Sequence, residues 1–158
     1  MDIRELYQEV IMDHNRNPRN HHDMPNATCS ARGYNPLCGD QLMVYLHMKQ
    51  DIVDDISFVG CGCAISQASA SLMTEAIKGK TVPEAHCLFE KFHQMMVDDD
   101  VSQTNDVFQN PSMKNIDKLT VLMGVKAYPA RVKCATLAWH TLDAALKKKV
   151  QIVNTEIE

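Results

Sequence analysis

Three cysteines lie far apart in the chain, each within a short segment typical of a turn or of a helix start. The segments are NPLCGD at 35–40, GCGCAIS at 60–66 and ARVKCA at 130–135. If the fold brings Cys38, Cys63 and Cys134 together, they supply three thiolates, and Asp40 supplies a harder oxygen ligand. This donor set suits zinc or an iron–sulfur cluster. One exchangeable ligand would allow sulfur chemistry, whereas four thiolates would mainly hold the fold together.

The first motif places Cys38 in a tight turn. Pro36 and Gly39 favour that turn just before a predicted strand, and Asp40 follows closely enough to reach a metal that the cysteine holds. A small buried cysteine beside a turn-capping aspartate explains the same two residues equally well. The motif by itself therefore leaves metal ligation and core filling open.

The second and third motifs give their cysteines surroundings that favour a thiolate. Cys63 follows a glycine at a strand-to-helix junction, where free helix amides carry partial positive charge. Cys134 is predicted in the first turn of the last helix, near Arg131 and Lys133, whose cations favour a thiolate and can attract an anionic partner. A core cysteine on an apolar helix face is the alternative for Cys134.

The remaining cysteines are weaker candidates for ligands. Cys61 alternates with Cys63 along the chain, so its side chain is predicted to point elsewhere and to remain a spare thiol. Cys29 and Cys87 have no such setting, and Cys87 is predicted to fill the core.

Composition and charge exclude several classes of protein. A chain of 158 residues suffices for one domain with a core, and a net charge of −4 without a basic stripe argues against nucleic-acid binding. No apolar run approaches the roughly 20 residues that cross a bilayer, and residues 1–5 lack a basic presequence. We therefore expect a cytoplasmic protein without membrane binding, whose six cysteines serve a metal or catalysis rather than disulfides.

Hydrophobic periodicity predicts an α+β fold in a single domain, residues 1–158. Alternating apolar residues predict strands at 40–48 and 52–59, which the short link between them makes antiparallel, and a third strand could precede them at 27–32. Apolar residues at helical spacing predict helices that start near residues 3, 63, 81 and 130.

Two segments of the C-terminal half have a polar or unpatterned sequence. An exposed insert is expected around 97–125, with a short helix at 113–123, because its first part is rich in aspartate and other polar residues. The tail at 150–158 is expected to be flexible.

Taken together, the three motifs resemble those of the IscU/NifU N-terminal family of iron–sulfur cluster assembly proteins. The likeness extends from the N-terminal helix to the C-terminal lysines and includes ASAS at 68–71, then Leu137 and Trp139. The SufU-type branch is the most similar. Members of the IscU branch commonly have a histidine where this chain has Lys133, and residues 97–125 resemble an extra stretch of SufU-type members.

The resemblance implies a small antiparallel sheet of about three strands covered by helices. It also implies zinc, held by Cys38, Asp40, Cys63 and Cys134. The implied partners are a pyridoxal-phosphate-dependent cysteine desulfurase of SufS-like type and downstream iron–sulfur assembly proteins. We interpret Cys38 as the thiolate that takes persulfide sulfur, and Arg131 with Lys133 as partner-binding residues. The protein would then be a sulfurtransferase-like partner rather than a stand-alone enzyme.

Two alternatives use the same residues. They could hold a [2Fe–2S] cluster that is assembled on this protein and passed on. A structural zinc could instead stabilise a non-catalytic domain, in which case removing the metal would unfold the chain. The sequence has no Ser, His and Asp arrangement and no glycine-rich nucleotide loop that would suggest another enzyme.

Overall fold

A computed structural model describes residues 3–36, 39–97, 128–147 and 152–154, together with Leu119, Leu122 and Val125. Within these residues the chain forms four helices: α1 (Ile3–Arg16), α2 (Ala64–Ile77), α3 (Val82–Val97) and α4 (Pro129–Leu146). It also forms four strands: β1 (Cys29–Asn35), β2 (Asp40–Lys49), β3 (Ile52–Cys61) and β4 (Ile152–Asn154). The predicted α+β fold, a small antiparallel sheet covered by helices, is confirmed.

The sheet has the strand order β3-β2-β1-β4. Strands β1, β2 and β3 are antiparallel neighbours joined by short links, as predicted for β2 and β3. Leu42, Val44 and Leu46 alternate along β2 and are buried, which is why this strand could be predicted from its sequence. Strand β4 pairs in parallel with β1.

The register of these strands brings three chain segments to one end of the sheet. Asn35, the last residue of β1, pairs with Asp40, the first residue of β2, and Gln41 pairs with Cys61 at the end of β3. Helix α2 begins at Ala64, shortly after β3 ends. The start of this helix therefore lies beside the turn between β1 and β2.

Helix α4 packs across β1 and β2 and is buried along most of its length. Its Trp139 is fully buried and stacks on Phe92 of α3, with ring centroids 4.5 Å apart. A Cβ atom on Gly33 of β1 would overlap the Thr141 hydroxyl, so this glycine permits the close approach of the helix to the strand. The approach fixes the position of α4, and with it Cys134, over the sheet.

Side-chain hydrogen bonds cap the first turn of α3. Thr81 donates from its backbone N and from Oγ1 to Glu84 Oε1 at 3.1 and 3.0 Å, and Glu84 N donates to Thr81 Oγ1 at 3.2 Å. These bonds form a capping box.

Among the described residues, no helix has the length and apolar content that a membrane span requires.

Two expectations for the C-terminal half differ from the structure. Leu119, Leu122 and Val125 belong to the predicted exposed insert, yet they are at most 1% exposed and lie in the core. The polar residues that suggested exposure lie earlier in the segment, and the rest of 98–125, including most of the predicted helix at 113–123, lies outside the described residues. Residues 152–154 of the predicted flexible tail form β4, because β1 offers them an unpaired edge.

Candidate metal centre

Cys63 is the N-cap residue of α2, as its position after a strand and a glycine predicted. Its backbone is extended, with φ −73° and ψ 166°, and its Sγ accepts a hydrogen bond from Ser66 N at 3.4 Å. The free amides of a helix start thus point at a sulfur atom. This is the setting that stabilises a thiolate.

Asp40 reaches the same helix start from the first position of β2. It is fully buried, its Oδ1 accepts from Cys63 N at 2.8 Å, and its Oδ2 lies 3.8 Å from Cys63 Sγ. A Cβ atom on Gly62 would stand 2.5 Å from Asp40 Oδ1 and 3.0 Å from its Cγ. The glycine before Cys63 therefore leaves the space that the carboxylate occupies.

Cys134 enters from α4 and is fully buried. Because α4 begins at Pro129, this cysteine is in the second turn, one turn further along than its sequence suggested. Asn35 Nδ2 donates to Cys134 Sγ at 3.5 Å, and Ala130 O lies 3.8 Å from the same sulfur. The sulfur therefore faces the end of β1, where Asn35 and Asp40 are paired.

The side chains of Asp40, Cys63 and Cys134 converge. One carboxylate oxygen and the two sulfurs all lie within 4.8 Å of one another, the only such group of three or more among the described residues. Around a tetrahedral zinc, two thiolate sulfurs stand about 3.8 Å apart, and a sulfur and a carboxylate oxygen about 3.6 Å apart. The donors present therefore fit an ion of this kind with small adjustments.

The fourth expected ligand, Cys38, lies outside the described residues. Its described neighbours Pro36 and Gly39 belong to the turn between β1 and β2, and Gly39 N donates to Asn35 O at 2.8 Å. Gly39 has φ +71°, a conformation that favours glycine. The predicted turn is present, and the role of Cys38 as a ligand stays a prediction.

Hydrogen bonds favour the thiolate form of Cys63. The hydrogen bond with Cys134 and then the bond from Ser66 N lower its pKa to about 6, while burial and the nearby charge of Asp40 act in the opposite direction. The pair of thiols therefore loses its first proton more readily than a free cysteine does.

The other candidate residues named from the sequence lie outside this group. Arg131 is exposed and Lys133 half-buried on the first turns of α4, close in sequence to Cys134, and their partner-binding role stays a prediction. Cys61 is exposed at the end of β3, outside the converging group. Cys29 and Cys87 are half-buried and pack against the core.

Asn35 and Gly62 are site residues that sequence reasoning missed. Both stand inside the cysteine motifs, directly before Pro36 and directly before Cys63. A polar residue at the end of a buried strand and a glycine beside a ligand were the available signals.

Comparison with known proteins identifies the family to which this arrangement belongs. The sequence matches the NifU-like N terminal domain family over residues 6–135. The chain belongs to this family. The predicted membership is thereby confirmed, and the converging residues lie within or at the end of the matched region.

Relatives of this NifU-like domain cover almost the whole chain. The zinc-dependent sulfurtransferase SufU of Bacillus subtilis is 40% identical over 144 residues, 91% of each chain. The iron–sulfur cluster assembly scaffold protein IscU of Thermotoga maritima is 39% identical over 148 residues, 94% of this chain and 97% of the relative. The crystal structure of a putative iron–sulfur cluster assembly scaffold protein for the SUF system from Fervidobacterium islandicum superposes with a TM-score of 0.77 at 35% identity, covering 90% of this chain and 97% of that one.

Proposed function

We propose that this protein is a zinc-dependent sulfur acceptor in iron–sulfur cluster assembly, acting in the cytoplasm. Its sulfur would come from the persulfide of a pyridoxal-phosphate-dependent cysteine desulfurase of SufS-like type, and downstream assembly proteins would receive it. The observation that carries the proposal is the convergence of Asp40, Cys63 and Cys134 within 4.8 Å in a NifU-like domain. The 40% identity to a zinc-dependent sulfurtransferase supports zinc and sulfur transfer over the alternatives.

The proposed zinc ligands are Cys38, Asp40, Cys63 and Cys134. A zinc ion bound there supplies positive charge that keeps the cysteines deprotonated at neutral pH. Cys63 is fixed by the start of α2, and Cys134 is fixed by burial in α4. Cys38, which directly precedes Gly39 and Asp40 in the first motif, is our candidate for the thiolate that becomes free to react.

The proposed reaction transfers one sulfur atom between two cysteines. The Cys38 thiolate attacks the terminal sulfur of the desulfurase persulfide, and an S–S bond forms at Cys38 while the S–S bond on the desulfurase breaks. The terminal sulfur carries its proton with it, and the desulfurase cysteine leaves as a thiolate. No external oxidant or reductant is needed. The protein then acts as a sulfurtransferase-like partner of the desulfurase rather than alone.

Arg131 and Lys133 are the proposed contacts to the desulfurase. Arg131 is exposed about one helical turn before the buried Cys134, so a partner that approaches the metal centre meets its guanidinium group. The planar fork of arginine can bind a partner carboxylate through two hydrogen bonds. Lys133 adds a second cation on the same stretch of α4.

The deciding experiment compares two cysteine variants in a desulfurase assay. Cys38→Ala should abolish the stimulation of desulfurase turnover and the transfer of labelled persulfide sulfur to this protein. Cys61→Ala is the matched control, since it removes an exposed cysteine next to the centre but outside the converging group, and it should leave both activities intact. Full stimulation by Cys38→Ala would contradict the proposal.

A [2Fe–2S] scaffold is the second candidate, and the 39% identity to an IscU scaffold protein favours it. It would use the same residues. Metal analysis after aerobic purification separates the two functions. One firmly bound zinc per chain supports sulfur acceptance, whereas a cluster that forms and passes to an apo-acceptor supports scaffolding.

A purely structural zinc is the remaining alternative. In that case chelation should unfold the protein cooperatively. We expect the chelated protein to keep its circular dichroism spectrum and to lose sulfur acceptance.

A further inference from the structure

A buried amide donor lies against one of the two described sulfurs. Asn35 is fully buried at the end of β1, and its Nδ2 donates to Cys134 Sγ at 3.5 Å. This distance is ordinary for a hydrogen bond between an amide and a sulfur. Burying an asparagine side chain costs free energy unless its polar atoms are hydrogen-bonded, and here the sulfur of Cys134 accepts one of those bonds.

The partner of Asn35 across the hairpin contacts the other sulfur. Asn35 and Asp40 are directly paired, and the side chains of such a pair lie on the same face of the sheet. Asp40 binds Cys63 N and lies 3.8 Å from Cys63 Sγ. The end of one hairpin thus places an amide donor on the α4 sulfur and a carboxylate at the α2 sulfur.

Asn35 also makes a backbone hydrogen bond to the residue that precedes β2. Its carbonyl oxygen accepts from Gly39 N at 2.8 Å. The same residue therefore connects the backbone at the start of β2 to the side chain of Cys134. An aspartate of the same shape would present only acceptor atoms to the thiolate, and a leucine would present none.

We propose that Asn35 is a positioning residue that holds Cys134 as a permanent ligand. Resting on the zinc centre of the proposed function, the inference is that its amide orients Cys134 Sγ toward Asp40 and Cys63 and disperses part of the thiolate charge. Cys134 then keeps its bond to the ion when the exchanging ligand leaves. Hydrogen bonds from outside the ligand set commonly have this effect on metal ligands.

The first test uses the unmutated protein loaded with ¹¹³Cd in place of zinc. A hydrogen bond that ends on a metal-bound sulfur transmits a scalar coupling between the donor proton and the cadmium nucleus. We expect this coupling for the Asn35 side-chain amide, and Ser66 N, which donates to Cys63 Sγ at 3.4 Å, provides an internal reference in the same spectrum. A coupling at Ser66 without one at Asn35 would overturn the inference.

The second test compares Asn35→Leu and Asn35→Asp with Thr141→Val. Both Asn35 variants should lower zinc affinity by about 10- to 100-fold in competition with a chelator, the aspartate more than the leucine. Thr141→Val alters a fully buried polar residue of α4 whose hydroxyl donates to Leu137 O, away from the sulfurs, and should leave zinc affinity unchanged.

A spectroscopic measurement separates positioning from general loss of structure. In the Co²⁺-substituted protein, removing a hydrogen bond from a thiolate raises the energy of the sulfur lone pair. The sulfur-to-cobalt charge-transfer band of Asn35→Leu should therefore move to longer wavelength, while that of Thr141→Val stays in place. Folded Asn35 variants with unchanged zinc affinity and an unchanged band would overturn the inference. None of these measurements involves a desulfurase, so a failure of sulfur transfer would be recognised separately.

Discussion

Two side-chain clusters in this molecule differ in how the ionisation of their titratable groups is controlled. In the proposed metal centre (Asp40, Cys63 and Cys134), hydrogen bonds lower the pKa of Cys63 to about 6 and so favour its charged form. In the α3–α4 ring cluster (Phe89, His93 and His140), burial first and then the charge of His93 lower the pKa of His140 to about 4. There the neutral form is favoured.

The geometry of the two clusters differs in the same way. In the ring cluster, the His93 and His140 rings meet edge to face with centroids 5.4 Å apart, and Phe89 contacts both. Their contacts are those of packed rings, whereas the metal centre brings ligand atoms from β2, α2 and α4 together. A shifted pKa therefore does not mark a binding site by itself. Convergence of ligand atoms with donors aimed at them does.

The largest expected difference between the two regions comes from removing one cysteine from the metal centre and one from the helix that carries the ring cluster. Cys63→Ala removes a proposed ligand and should lower zinc affinity by on the order of 100-fold or more. Cys87→Ala removes a half-buried cysteine of α3, the helix that carries the ring cluster, and should leave zinc affinity unchanged. Competition with a chromophoric chelator measures both. Wild-type zinc affinity in Cys63→Ala would show that Cys63 does not bind zinc and that the two regions do not differ in this respect.

An intermediate effect is expected from Gly62→Ala. The new Cβ would stand 2.5 Å from Asp40 Oδ1 and displace the carboxylate, so zinc affinity should fall by about 10-fold or more. The Gly62→Ala/Asp40→Ala double variant provides the control. Because both changes act through one carboxylate, the double variant should bind zinc as well as Asp40→Ala alone. Additive losses would show that Gly62 acts in another way.

The smallest effect is expected in the ring cluster and concerns stability against pH. The pKa of His140 is about 4 in the folded protein and 6.5 ordinarily, so the unfolded chain takes up the proton first as pH falls. The contribution of neutral His140 to the free energy of unfolding is complete above about pH 6.5 and is lost progressively as the pH falls toward 4. We expect a loss of about 1 to 2 kcal/mol, less than the whole shift because the ring is partly exposed.

Urea unfolding of the metal-free protein at several pH values measures this contribution of His140 to stability. His140→Phe should show a shallower decline in unfolding free energy between pH 6.5 and 4 than the wild type. Metal-free protein is used because the release of zinc at low pH would add its own pH dependence, and any titration of Cys63 is common to wild type and variant. Equal slopes for wild type and variant would contradict the assignment.

Features of the fold and of the site could be predicted from the sequence where they depend on nearby residues. Alternation predicted β2, helical spacing predicted the helix that starts near residue 81, and the family resemblance of the motifs implied a shared site for Asp40, Cys63 and Cys134. These signals lie within a few residues or within motifs of the family.

The features that escaped prediction depend on contacts between distant segments. The amide of Asn35 on Cys134 joins residues 99 apart, and the space for Asp40 beside Gly62 follows from the register of β2 on β3. Strand β4 exists because β1 has a free edge, and Leu119 is buried by its neighbours in the fold rather than by its local sequence. No periodicity within a single segment reports such contacts.

X-ray absorption at the zinc edge of the purified protein tests the central claim most directly. If Cys38, Cys63 and Cys134 hold one zinc with Asp40, the spectrum should fit three sulfur neighbours at about 2.3 Å and one oxygen at about 2.0 Å. A first shell made only of nitrogen and oxygen atoms would contradict the account.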